Sequence, residues 1–531
     1  MNLLRLPEEL IFGVLRQLDV RSLIRCQAVC CRLQAVINHS AKLQYLIVLA
    51  ATGVHESPSA HTRWSLAERL AMAKDYDAAW RAGKWTTLDI DVPFGTFTGH
   101  RRLDRISFGV IAMTEFVHRT IYVVRMPSAL RGVQYASWDL TFDDPITDMQ
   151  IDASQDLLIY TCSPVQLHRK GLVLRPASLT DGGQHPLARD TGFKLHPSLS
   201  LMADSIRIYH NIVALCVFVF PEPPALRGKS WLLVIWDWKT GEYCLAASEA
   251  KAVVNFRFIS NDYIAVPISA PNEARMDVYS IRQMFSLAAS VSDGELNVTN
   301  LADSLSCSFA LPAAKDFRFT RAFFADSTSR PSPATDQTPG ALYTDPADVL
   351  LRVMVTSICT GQSRTHESWE LRISTHKLLS YIAKSTTPTL VPWAEWESDP
   401  RRWLRSTHGW VSGMRIVDVH KGRVVISDFH PSRVARRDAQ GAEFSSTGID
   451  DHLTDVESFA AQCIATTVQD ADNVGGVIQR AFLTEDCVII ITGGLSAAGI
   501  WKEEMKFLVL GDCLVRRSDA TSMPSSIARS K

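Results

Sequence analysis

From about residue 88 the spacing of apolar residues changes from helical to alternating, and it stays so to about residue 515. Segments such as RISFGVIAM, TIYVVRM, SWDLTF, DLLIYTC, WLLVIWDW, DYIAVPIS, LLRVMVTSI, CVIIITG and MKFLVLGD follow one another. They are rich in Val, Ile, Phe, Tyr and Trp and are separated by Gly, Asp, Asn and Pro turns. Long helical patterns between them are scarce. So many short strands in one open sheet would leave edges that pair with other chains; a ring of small sheets removes them. The region 88–515 is therefore expected to be a mainly-β domain built as a β-propeller. At roughly 40 to 50 residues per blade it holds six to eight blades, and seven is the number expected.

With 531 residues the chain is long enough for more than one domain. Hydrophobic residues make up 46% and charged residues 21%, the balance of a soluble globular protein. The net charge of -1 supplies no basic field, so neither nucleic acid nor an anionic membrane is expected as a partner. The longest apolar stretch of the strand region, NIVALCVFVF from Asn211, is too short for a membrane helix and reads as a buried strand. The 11 cysteines are scattered without a CxxC pair at zinc spacing. Cys26 and Cys30 have the spacing of one helix face, where free cysteine acts as a small apolar residue. No metal and no cofactor are expected, and reduced cysteines fit the cytoplasm, the nucleus or both.

Ahead of the strands the pattern is helical. Pro7 suits a first helical turn, and Glu8 and Glu9 complement the helix dipole there. Leu10, Ile11, Val14, Leu15 and Leu18 then recur along one stripe. A second helix carries Leu23, Ile24, Cys26 and Val29, and a third carries Leu33, Val36 and Ile37. Glu8, Glu9, Arg16 and Asp19 interrupt the apolar positions, so the segment does not read as a secretory signal. Three small helices in residues 1–45 can hardly bury so many side chains internally, and some should seek a partner surface. Residues 46–87 read as a helical linker: SLAERLAMAKDYDAAW has capping-box spacing at Ser65 and Glu68, with Leu66, Leu70, Ala73 and Trp80 on one face.

Leu6-Pro7-Glu8-Glu9-Leu10 and the later spacing of Leu23, Cys26, Val29, Cys30 and Leu33 resemble an F-box. That motif docks substrate receptors onto the adaptor subunit of SCF-type cullin–RING ubiquitin ligases. One departure is Leu33, where many F-boxes place tryptophan. The resemblance implies that the adaptor-binding positions are among Leu6, Pro7, Leu10, Ile11, Leu15, Leu18, Leu23 and Val29. In the strand region VIWDWKTGE, Val234 to Glu242, resembles the strand that carries the Trp-Asp pair of WD repeats. Ser137 to Thr161 is a weaker echo, with Asp156 in the corresponding turn. Fungal F-box proteins with a degenerate propeller-like region are similar in layout.

Residues 325–348, rich in Ser, Thr, Pro and Asp, are expected to be a disordered insertion. Residues 431–455 read as a second loop, and 516–531 as a flexible tail. No GxxxxGK, GxSxG or HExxH motif is present, and no catalytic constellation stands out. The expected function is a non-catalytic receptor: the F-box holds the adaptor, and the propeller holds an unknown protein substrate. Two alternatives are a scaffold whose N-terminal helices pack on their own body, and an enzyme with a site built from propeller loops.

Overall fold

The structure, a computed structural model, describes residues 5–83, 85–88, 102–115, 118–162, 173–194, 199–201, 206–219, 231–247, 255–270, 273–289, 298–311, 317–324, 340–344, 349–359, 366–384, 387–396, 403–405, 409–420, 423–430, 464–468, 477–484, 486–495 and 501–510. The expected loop 431–455 and the tail 516–531 lie outside them.

Six helices open the chain: α1 (Glu8–Leu15), α2 (Val20–Gln27), α3 (Cys31–His39), α4 (Ala41–Thr52), α5 (Ala60–Arg63) and α6 (Leu66–Ala82). The helical unit thus has four helices, and α4 runs across the expected boundary at residue 45. Ser65 and Glu68 form the capping box at the start of α6, and Gly83 ends it with a left-handed φ of 60°. No helix among the described residues is long and apolar enough to cross a membrane.

The strands after α6 form a seven-bladed propeller. One 17-residue strand, Ala136–Asp152, serves two blades. Its first part, 136–141, completes a sheet with Arg102–Ser107, Val110–Glu115 and His118–Arg125. Its second part, 146–152, begins a sheet with Leu157–Cys162, Val173–Ser178 and Phe193–Lys194. The third blade is built on Ile212–Val219, Trp231–Asp237 and Tyr243–Ala247, with Leu199–Leu201 and Arg207–Tyr209 sharing the inner position. The fourth holds Arg257–Phe258, Tyr263–Ala270, Glu273–Ser280 and Leu305–Ala310; the fifth Phe317–Phe324, Leu350–Cys359, His366–Ser374 and Trp403–Arg405. The sixth holds Gly409–Ser412, Arg415–His420, Arg423–Asp428 and Ile464–Val468. In the seventh, Val477–Leu483, Cys487–Leu495 and Trp501–Leu510 are joined at the edge by Trp85–Leu88 from before the first blade.

The core proves the closure. Alternate residues of each strand face opposite neighbours: Leu232, Val234 and Trp236 pack toward the second blade, Trp231, Leu233 and Ile235 toward the fourth. Such double-sided burial recurs round the ring. The seventh blade meets the first through Cys487, Ile489 and Ile491 against Ile111, Met113 and Val124. On its other face Val488 and Ile490 meet Val417 and Ile426 of the sixth. Every sheet thus has two covered faces, which explains near-continuous apolar runs such as Trp231–Asp237.

Turn chemistry follows the strand pairing. Ser107 pairs with Val110, leaving Phe108 (φ 48°) and Gly109 (φ 74°) as a two-residue hairpin turn with both φ positive. RISFGVIAM is therefore two strands. Asp156 sits in a turn, as the sequence suggests, with φ 57°. Trp236-Asp237 ends the third strand of its blade, and Asp237 Oδ1 accepts the amides of Lys239 (2.9 Å) and Thr240 (3.0 Å).

Two features depart from the sequence reading. Helices α7 (Ile281–Ala289) and α8 (Thr375–Ile382) interrupt the third-to-fourth strand connections of blades four and five. Each is followed by a short strand, Val298–Asn300 or Thr389–Val391, that pairs in parallel with the outer strand of the preceding blade. The expected disordered insertion 325–348 also contains an ordered strand, Leu342–Thr344, antiparallel to Val54–Glu56. Its residues Ala341 and Leu342 are apolar within a polar segment and are fully buried, which holds them in place. The rest of the insertion described is confined to 340–344.

Buried ion pairs fasten one seam between blades and brace another blade from within. Arg131, between the third and fourth strands of blade one, donates to Asp486 of blade seven through Nε (3.1 Å) and Nη2 (2.9 Å). Ser128 Oγ donates to the same carboxylate. Glu370 of blade five accepts from Arg352 and from Arg372 Nε (2.6 Å). Burial alone would raise the Glu370 pKa, but the two guanidiniums hold it below the usual carboxylate range. Asp486→Ala removes the buried carboxylate shared by Arg131 and Ser128, an expected loss of about 3–5 kcal/mol. A lowered denaturation midpoint checks it.

Candidate docking surface

The first three helices form a unit with its own core. Asp19 caps α2, accepting the Ser22 amide at 2.9 Å and the Ser22 hydroxyl at 2.8 Å. The Ser22 amide foremost, then its hydroxyl, holds the Asp19 carboxyl below its ordinary pKa. Arg32 of α3 donates to the Leu6 carbonyl at 2.9 Å, tying the chain before α1 to α3. Inside lie Ile11, Leu15, Leu23, Leu33, Val36, Ile37 and Leu43, with Leu6, Leu18, Cys26 and Cys30 partly buried against them. Cys30 stands between α2 and α3 rather than on one helix with Cys26.

This geometry divides the predicted contact residues. Ile11, Leu15 and Leu23 are interior, because they face α3 and α4; they cannot meet a partner while the unit is folded. Leu6 and Leu18 are half-buried at its margin. Pro7 is exposed, as are Leu10 (55%) and Val29 (68%). Val14 (44%) and Ile24 (49%) are equally open, and the resemblance did not single them out. Their signal was helical phase: Val14 follows Leu10 by one turn, and Ile24 shares the α2 face with Arg21, Arg25 and Ala28, all exposed. Among the described residues eight large apolar side chains are exposed: Leu10, Val14, Ile24, Val29, Tyr135, Leu187, Tyr243 and Leu390. Half of them lie on α1, on α2 or in the turn that follows α2. Apolar surface concentrated in this way marks an interaction site.

The helices that do pack on the propeller are α4 to α6. Leu43 of α4 points into the first unit, whereas Tyr45 and its neighbours Val48 and Leu49 join the core shared with α6, blade six and blade seven. Tyr45 donates to Glu56 at 3.1 Å, and Glu56 is also bridged by Arg69 and, at 3.2 Å, by His61. Burial first, then the Glu56 charge, pushes the Tyr45 phenol well above its ordinary pKa.

Arg415 of blade six is the anchor. Its guanidinium lies 3.9 Å from the Trp80 ring centre and donates to Asp428 (3.0 Å) and the Tyr76 hydroxyl (3.2 Å). Burial pulls its pKa down, but Tyr76 and Asp428 outweigh that and hold it above the ordinary value. Beside this anchor the His430 amide donates to Asp428 at 2.9 Å, and Gly53 ends α4 with φ 66°, where a Cβ would collide with the His430 ring. Trp64 packs less tightly on Gly132 of blade one, where a Cβ would lie 2.9 Å from its ring. These contacts, and the start of Trp85–Leu88 beside Leu510, lie where first-to-second and third-to-fourth strands connect. The helices therefore cover one end of the ring. Among the described residues no group of three His, Cys, Asp or Glu side chains is placed to hold a metal ion.

Residues 3–43 match the family model described as F-box-like. The N-terminal unit is an F-box-like domain. No curated protein matches the chain. Solved structures similar to it include the WD40 domain of Toxoplasma gondii coronin, at 10% identity and TM-score 0.34, covering 81% of this chain and 87% of that one. The Dos1 propeller gives 10% identity and TM-score 0.30, covering 79% and 94%. Polysaccharide lyase Uly1 gives 7% identity and TM-score 0.36, covering 78% and 91%. Likenesses this distant carry no argument; the propeller rests on strand pairing and blade interfaces.

Two expectations follow from the geometry. Leu23→Asp buries an unpaired carboxylate and unfolds the F-box-like domain, whereas Ile24→Asp on the same helix leaves it folded; amide exchange of α1 to α3 separates them. Gly53→Val forces a branched residue into a left-handed backbone against His430 and loosens α4 from the propeller. Adding His430→Ala relieves the collision but not the backbone strain, so resistance to limited proteolysis between 40 and 66 should be restored only in part.

Proposed function

We propose that the chain is a substrate-recruiting subunit of an SCF-type cullin–RING ubiquitin ligase, with the F-box-like domain docking the adaptor and the propeller binding a target. The observation that carries this reading is the set Leu10, Val14, Ile24 and Val29, open on a domain whose own core is complete without them. The rival scaffold reading needs those helices to pack on their own body. Yet among the described residues the cluster that holds α1 to α3 together contains no propeller residue, and the contacts to the ring come from α4 to α6.

Among the described residues α4 to α6 sit on one end of the ring; in this reading a target binds the other end. In this reading the chain carries no catalytic residue, and ubiquitin transfer belongs to other subunits. Its contribution is proximity, which raises the effective concentration of target beside the conjugating enzyme. A rigid seat serves that purpose, because a fixed span loses less to disorder than a floppy one. Cytoplasm and nucleus suit thiols held outside disulfides, such as those of Cys26, Cys162, Cys216 and Cys244.

The test is co-purification with the SCF adaptor. Leu10→Asp with Ile24→Asp should abolish capture while leaving the propeller folded. Unchanged capture would remove the docking claim. Leu15→Asp is unsuitable for this purpose, since it destroys the domain's interior.

A further inference from the structure

The strand Leu342–Thr344 lies in sequence between the first and second strands of blade five, yet its partners belong to other parts of the molecule. Blade five is complete without it. Phe317–Phe324 and Leu350–Cys359 pair directly with each other, from Phe317↔Cys359 to Phe324↔Val353. Among the described residues Leu342–Thr344 pairs with Val54–Glu56, and the two form a sheet of their own. The segment 340–344 is therefore laid onto the body of the protein from outside any blade.

What receives it holds both its backbone and its side chains. On one side the Ser57 amide donates to the Ala341 carbonyl at 2.9 Å; on the other the Ala341 amide donates to the Arg131 carbonyl of blade one at 2.9 Å. Gly340 has φ 86°, and a Cβ there would lie 2.8 Å from the Val133 side chain and 3.0 Å from the Arg131 carbonyl. A side chain at 340 would push the segment away. Ala341 and Leu342 are fully buried in the core that α4 and α6 share with blades six and seven. Tyr343 packs instead toward Phe108 of blade one, 6.1 Å between ring centres. Main-chain bonds along an edge, with separate pockets for successive side chains, are the means by which proteins bind extended peptides.

The place of this contact gives it a role. Residues 53–59 join α4, which enters the F-box-like core through Leu43, to α5 and α6, and Arg415 anchors α6 on the ring. We propose that residues 54–57 and 131–133, with Phe108, form a peptide-binding groove that this chain fills with its own residues 340–344, and that filling it locks the joint between the F-box-like domain and the ring. The ligand class is an extended segment reading glycine, small residue, leucine, aromatic. Tethering supplies that segment at high effective concentration, so the groove is filled in the resting chain. When the segment leaves, the joint loses Ala341 and Leu342 from its core and Val54–Glu56 loses its strand partner. The Arg415 anchor and the pairing of blade five remain, so the arm loosens while the ring stays closed.

The experiment uses the full chain and needs no adaptor, so its outcome is independent of the docking reading above. Gly340→Val with Leu342→Asp should raise amide exchange at 54–57 and cleavage between 40 and 66 by about tenfold or more, while the strands of blades one and five keep the parent's protection. A synthetic peptide of residues 338–346, added in excess, should restore protection of the joint; the same peptide carrying Leu342→Asp should not. Replacing residues 325–339 by a Gly/Ser linker of equal length should leave the joint as protected as in the parent, because those residues serve as a tether. Loss of protection in blades one and five together with the joint would make 340–344 an integral part of the ring and overturn the proposal. An unchanged joint in the double variant, no rescue by the peptide, or a loosened joint in the linker chain would each overturn it as well.

Discussion

The four residue pairs Trp85↔Leu510, Thr86↔Val509, Thr87↔Leu508 and Leu88↔Phe507 hold the rest of the molecule in place. Without them the seventh blade ends in an open edge at Trp501–Leu510, and exposed edges recruit other strands. With them, a segment from before the first blade completes the last one, so the ring closes through hydrogen bonds between distant parts of the chain. The same pairing fixes where α6 must end, because Trp85 follows it almost at once. Trp80 and Trp85 then meet edge to face, 5.6 Å between ring centres, beside Arg415. Closure of the propeller and attachment of the helices are one event.

From that junction order passes outward through α4. One face of this helix belongs to the core of the F-box-like domain through Leu43, and the other to the propeller-side core through Tyr45. A continuous helix shared by two cores transmits position without a hinge. The strand Leu342–Thr344 adds a second fastening, since it pairs with Val54–Glu56 and sets Tyr343 against Phe108 between blades one and two. Blades five, six, seven and one all therefore touch the helical seat. A surface presented by α1 and α2 is held at a defined place relative to the ring.

Local signals were legible where the physics is local. The capping box at Ser65 and Glu68 and the turn at Asp156 depend on neighbours a few residues away, and the chain shows them openly. Short runs rich in Val, Ile and aromatic residues, broken by turns, identified the strand region because burial on two faces acts on every blade alike. Less was legible at the docking surface. Leu10 and Ile11 are adjacent and equally apolar, as are Leu23 and Ile24, so composition does not say which faces inward. The helices α7 and α8 escaped notice because each is short and lies between strands of similar hydropathy.

What the sequence determined by itself was the kind of material at each position: short amphipathic helices first, then strands too numerous for an open sheet. Burying a given fraction of apolar surface at a given period leaves few architectures available. The tertiary structure decided the assignments that depend on distant partners. It set Ile11 inside and Leu10 outside, divided Ala136–Asp152 between two blades, and drew Leu342–Thr344 out of a polar insertion onto Val54–Glu56. Each of these turns on contacts separated by tens to hundreds of residues, and only the closed ring brings those residues together.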